Sequence, residues 1–350
     1  MADYLCSRKI AIDNTKVSGT SNLLDFPVLI SLQEEYLKTT GCVTNSDGYD
    51  IVFTESDGST LLDHEIESYD GDAGTLVAWV RIPTLKYNED TDIFMYFGNS
   101  GISASQENVA GVWDANYKGV WHMSEDASGT GTADLYKDST SNSNHCVDLI
   151  SASGQSGQIN GGQEFNPATS DNTNCGSDVS LNITNKITLS AWVYMDQLPA
   201  VNDWYHVVIK ESSTIPYCLY IARKGSNETV IGADFVINGK RWDSWDKSNS
   251  IDINILPNRW TYLNVTFDGS DFKLFTDSVL DATENVPGTI DDSSSLNLYF
   301  GKQASSETVG YFDGQIDEVR ISNIDRDEDW IKTCYNNQSS PSTFYQVTSQ

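Results

Sequence analysis

The chain has 350 residues, too many for one ordinary β-sandwich and about the length of two. Its 21 Lys and Arg stand against 50 Asp and Glu, and the net charge of −29 repels nucleic acid and anionic membrane surfaces, so neither is an expected partner. No apolar run approaches the roughly 18 residues of a membrane span, so no membrane insertion is expected, and the opening MADYLCSRKI carries no apolar signal core.

Apolar and polar residues alternate at period two through most of the chain and helical periodicity is nearly absent, which predicts an all-β fold. Strands are read in SRKIAID, FPVLISL, YDIVFT, LLDHEIES, TLVAWVRI and DIFMYF, separated by turns such as Asp57-Gly58. They predict a first antiparallel β-sandwich over residues 1–117. GVWHMSE opens a second series that continues through ITLSAWVYM, WYHVVIK, YCLYIAR, ADFVING, KRWDSW, WTYLNVTFDG, DFKLFTD, LNLYFG and QIDEVRIS, and predicts a larger sandwich over 118–325. Near the end, DEDWIKTCYNN predicts one short helix, with acid at Asp327 to Asp329 and an apolar stripe of Trp330, Ile331, Cys334 and Tyr335. Residues 326–350 are therefore read as a C-terminal helix and tail that clamps onto a sandwich. Six cysteines (Cys6, Cys42, Cys146, Cys175, Cys218, Cys334) lie far apart without a CxxC, which argues against structural zinc and leaves disulfides and free buried thiols equally open.

The ordered set GVWHMSE, DSTSNSNH, ITLSAWV, WTYLNVTFDGSDFKLFTD and FDGQIDEVRISN, over residues 118–323, resembles the LamG-like, concanavalin A-type jelly rolls. DGYDIVFTESDGSTLLDHEIESYD, LVAWVRIP and DIFMYFGN are similar to the domain of unknown function 2341 that commonly precedes such jelly rolls, and DWIKTCYNNQSSPSTFY to the segment that ends the pair. The resemblance implies a two-layer jelly roll, display outside the cell and binding of glycans, proteins or calcium, without catalysis. Surface display and the missing signal core are reconciled if the protein leaves its host by lysis as part of a virus particle. The expectation is thus a virion surface protein (a decoration, fibre or host-recognition subunit) whose partners are a glycan or host-surface ligand, other virion proteins, or further copies of itself as a homo-oligomer. A secreted or cell-surface prokaryotic adhesin is the alternative.

The resemblance also implies a structural Ca²⁺ held by a polar loop near the first strand of the jelly roll. Asp138 and Asn144 offer a carboxylate and an amide oxygen there, and Asp317 lies on the last strand, beside the first; oxygen donors from separate loops suit this ion. A plain Asx-turn loop is the competing explanation. A second candidate is a sugar-stacking platform after the hairpin signal Asn238-Gly239, where strand alternation puts Arg241, Asp243 and Trp245 on one face. A rim Trp beside a surface ion pair is the competing explanation, and Trp121, Trp192 and Trp260 are read as core.

No catalytic residue is expected. Glu65 and Glu67 are the nearest approach to a glycosidase pair and are read as an exposed acidic sheet face. Asp317 and Glu318 are adjacent, so they point to opposite faces of a strand. The histidines His64, His122, His145 and His206 are scattered without a metalloprotease spacing, and no nucleophile elbow or phosphate loop is present.

Overall fold

Alternating Val, Ile, Leu and aromatic side chains need a second apolar layer to cover them, and in this chain the layers are β-sheets. The computed structural model describes all residues except 127–130, 152–153, 212–213, 226–227, 247–254, 293–294, 303–309 and 350. In chain order it contains β1 (Cys6–Ile12), β2 (Leu23–Gln33), β3 (Val52–Glu55), β4 (His64–Asp70), β5 (Thr75–Leu85), β6 (Thr91–Phe97) and the single turn α1 (Val109–Val112). Next come β7 (Tyr117–Trp121), β8 (Val147–Leu149), β9 (Gln155–Ser156), β10 (Gly161–Phe165), β11 (Asn172–Asn174), β12 (Ile187–Met195), β13 (Asp203–Glu211), β14 (Tyr217–Lys224) and β15 (Glu228–Ile237). The series continues with β16 (Lys240–Asp243), β17 (Trp260–Phe267), β18 (Asp271–Thr276), β19 (Val279–Asn285), β20 (Asn297–Phe300) and β21 (Gly314–Ser322). The end is α2 (Glu328–Ser339), α3 (Pro341–Phe344) and β22 (Tyr345–Ser349). Among the described residues no helix is long and apolar enough to cross a membrane.

Two compact units result, and their boundaries differ from those expected. The first joins residues 1–114 to 329–350, and the second is 115–328, so the C-terminal helix and tail are an integral part of the first unit rather than a separate segment. Packing explains this. Strand β22 pairs antiparallel with β1 and completes a sheet of order β22-β1-β6-β3, which accompanies a sheet of order β2-β5-β4. Trp330 of α2 packs on Phe26 with ring centroids 4.8 Å apart. Asn337 bridges the buried backbone of Leu29, its Oδ1 accepting from the N–H at 2.7 Å and its Nδ2 donating to the carbonyl at 3.1 Å. Glu65 and Glu67 do not form the expected exposed acidic face. Glu65 is buried and accepts from the indole of Trp113 at 2.9 Å, while Glu67, at a bulge in β4, accepts from the indole of Trp79 at 3.0 Å.

The second unit is a sandwich of two long antiparallel sheets. One has the order β19-β18-β17-β12-β21-β10-β9, with β7 also paired to β21; the other has the order β16-β15-β14-β13-β20-β11-β8. Their facing sides bury one core that includes Trp121, Phe165, Leu189, Phe235, Phe267 and Phe300. Trp192 is buried on the other face of its sheet, against Tyr262 at 5.0 Å, and Trp260 is only half-buried, so neither belongs to that shared core. The cysteines divide both ways: Cys6–Cys42 and Cys146–Cys175 are disulfides, while Cys218 and Cys334 are buried thiols.

Candidate ligand pocket on the outer sheet face

The turn between β15 and β16 is the Asn238-Gly239 pair, with φ of +49° and +74°, the geometry of a two-residue hairpin whose twist matches its strands. Beyond it Trp242 turns into the core and stacks on Phe272 at 4.2 Å, which fixes Arg241 and Asp243 on the outer face. The strand then stops. Asp243 Oδ1 accepts the N–H of Trp245 at 2.9 Å and caps a 3₁₀ turn, Ser244–Asp246. Trp245 thus joins Arg241 and Asp243 through this cap, and not by the strand alternation expected from the sequence.

Neighbouring strands supply the rest of the wall: Trp204 and His206 from β13, Tyr220 from β14 and Asp234 from β15, with Ile215 beside them. The Trp204 and Trp245 rings meet edge-on at 6.0 Å. Tyr220 lies flat over Gly232, where a Cβ would stand 2.1 Å from its ring, and so reaches across β15 to donate to Asp243 Oδ1 at 2.6 Å. These residues line an open pocket of about 140 Å³, several water volumes.

Arg241 organises the charges. Its Nε donates to Asp234 Oδ2 at 2.8 Å, and its Nη2 lies 2.5 Å from the same oxygen and 3.1 Å from Asp243 Oδ2. Asp234 is 2% exposed, and its Oδ1 has no hydrogen-bond partner among the described residues. Burial raises its pKa to about 6 despite the hydrogen bond from Arg241, with the Asp243 charge adding to the rise. Burial lowers His206 to about 4, which leaves its ring neutral at pH 7. The Arg241 side chain is 62% exposed. The pocket therefore offers two indole surfaces, an outward guanidinium and a carboxylate edge side by side.

The residues suggested for calcium do other work. Asp138 accepts the N–H groups of Val120, Thr140 and Asn144 and the hydroxyl of Thr140, at 2.8–3.0 Å, which occupies about all the lone-pair directions of a carboxylate. Asn144 turns its Nδ2 to the carbonyl of Lys118 at 2.7 Å and to Ser180 Oγ at 2.9 Å. Asp317 accepts from the N–H of Ile159 at 2.9 Å, in a different loop. This donor set does not fit a cage of oxygen ligands around a cation; it fits three residues that hold loops. Glu318, next to Asp317, has φ of +52° at a bulge, is buried, and binds His122 Nδ1 at 2.5 Å and Arg320 Nη2 at 2.5 Å.

Residues 167–332 match the concanavalin A-like lectin/glucanases superfamily, and residues 47–144 match the domain of unknown function 2341. The chain joins these two domain families in that order. No curated protein matches the sequence. Solved structures similar to this chain include the binding domain of Paraclostridial Mosquitocidal Protein 1 (16% identity, 61% of this chain and 51% of that one, TM-score 0.46). Domain 4 of AbnA, a GH43 extracellular arabinanase from Geobacillus stearothermophilus solved with arabinotriose, gives 14% identity over 63% of this chain and 98% of that one, at TM-score 0.46. The botulinum neurotoxin serotype G binding domain gives 15%, 64%, 52% and 0.46. This chain spans about half the length of the two toxin structures. The pocket lies inside the concanavalin A-like domain, all its lining residues falling between 204 and 245. Sequence alternation alone named three of them; Trp204, His206, Ile215, Tyr220 and Asp234 were missed, and Gly232, in the middle of a strand, was the available sign of a close approach.

Proposed function

We propose that this chain is a non-catalytic recognition protein that binds glycans in the pocket of Trp204, Tyr220, Arg241, Asp243 and Trp245. The observation that carries this reading is the pair of half-buried indoles beside an outward guanidinium–carboxylate pair. An indole accepts the C–H face of a sugar ring, while the Arg241 guanidinium donates to ring hydroxyls and the Asp243 edge accepts from them. Asp234 and Asp243 are directly opposed across β15 and β16 and both are bound to Arg241, an arrangement that suits ligand positioning rather than acid and nucleophile roles. A glycan array tests the reading: Trp245→Ala is expected to reduce binding about three- to tenfold, the order of one aromatic contact. Binding unchanged in Trp245→Ala at an unchanged melting temperature overturns it.

The setting proposed is outside a cell, on the surface of a virus particle. The two disulfides support oxidising surroundings. Immunogold microscopy of the native source tests the placement: label on particles supports it, and label on cell envelopes favours the adhesin reading.

A further inference from the structure

Resting on the glycan reading, we propose that the pocket selects neutral sugars against acidic ones, and that Asp234 is the residue that sets this preference. An exposed arginine in an aromatic pocket would ordinarily favour a ligand carboxylate, which it grips with two parallel N–H bonds. Here that fork is filled. Nε and Nη2 of Arg241 are bound to Asp234 and Asp243, and the donors that remain serve a hydroxyl as well as a carboxylate.

The charge count leads to the same conclusion. Among the described residues Arg241 is the one charged cation lining the cavity; Asp234 and Asp243 line it as anions, and His206 is neutral. Lys224 is not among the lining residues; it lies 5.9 Å from the centre of the Trp245 ring and donates to the Ser244 carbonyl at 3.4 Å. From β13 the buried Glu211 adds a further negative field at Asp234. The other titratable groups around Asp234 are Cys218 and Tyr220 of β14, both with pKa well above their usual values, so they are uncharged at pH 7. An acidic sugar therefore meets a net negative wall, whereas a neutral pyranose loses nothing, accepting from Arg241 and donating to Asp243. Protonation of Asp234 as the pH falls through about 6 removes one negative charge and narrows the discrimination.

The experiment is titration calorimetry of the full chain with gluco-, galacto- and manno-oligosaccharides and with the same oligosaccharides oxidised at C6 to uronic acids. For whichever series binds, the uronic form is expected to bind about tenfold or more weakly than the neutral one at pH 7.5, and Asp234→Asn to reduce that ratio about tenfold. Should Asp234→Asn fail to fold, the wild-type ratio at pH 5 against pH 7.5 gives the same reading and is expected to shrink at pH 5. Uronic forms that bind as tightly as neutral ones, or a ratio untouched by both the substitution and the pH, overturn the selectivity while leaving glycan binding intact. If none of these oligosaccharides binds in either form, the glycan reading fails and the selectivity with it.

Discussion

Asp234 and His206 sit in one pocket and pull stability in opposite directions as pH changes. Asp234 is raised by burial to about 6, so its contribution is present in full below the unfolded value near 4 and is lost as pH rises through about 6. His206 is lowered by burial to about 4, so its contribution is present above roughly 6.5 and is lost as pH falls through about 4. In the wild type the two slopes offset each other, and a single substitution exposes one. Asp234→Asn is expected to raise the melting temperature at pH 7.5, corresponding to about 1–2 kcal/mol, because it removes an undercompensated buried charge. At pH 4 the gain should vanish. Melts of both proteins across this range check the sign, and an equal shift at both ends contradicts the assignment.

Among elements, the β15–β16 hairpin shows how one backbone position governs a site several side chains away. Gly232→Ala places a methyl 2.1 Å from the Tyr220 ring, which must lift off β15 and release Asp243 from its hydroxyl. A stability loss of about 1–3 kcal/mol is expected, together with weaker glycan binding, because Asp243 also holds the turn that presents Trp245. Stable protein with full affinity would show that Tyr220 has no part in the site. The hairpin itself was legible in the sequence, since Asn-Gly tolerates two positive φ values in succession. The position of Trp245 was not, because the Asp243 cap ends the strand before alternation would reach it. Trp204 and His206 were hidden by a bulge between His206 and Val208 that resets which side chains face outward on β13. The strands β8, β9 and β11 are two or three residues long, too short for any periodicity to mark them. Burial of Glu65 depends on Trp113, which only the tertiary fold brings to β4.

At the scale of the whole molecule, one domain is inserted into another. The ends of the inserted unit are held together, Tyr117 opposite Ser322 and the N–H of Asn323 bonded to the Asn116 carbonyl at 2.9 Å. Residues 115–328 expressed alone are therefore expected to melt cooperatively, and residues 1–114 alone to fail, because they lack β22 and the Trp330 and Asn337 contacts of α2. Circular dichroism melts of the two fragments check this, and a cooperative transition in 1–114 contradicts it.

The pairing of the first strand with the last also decides how the chain carries force. Arg8 lies opposite Ser349 and Ile12 opposite Tyr345, so a pull through both ends meets the β1–β22 ladder first and loads its hydrogen bonds one after another. While that ladder holds, tension crosses directly from strand to strand and bypasses residues 115–328. The inserted unit is thus shielded from a pull applied at the two ends, and the terminal strand acts as the mechanical fuse.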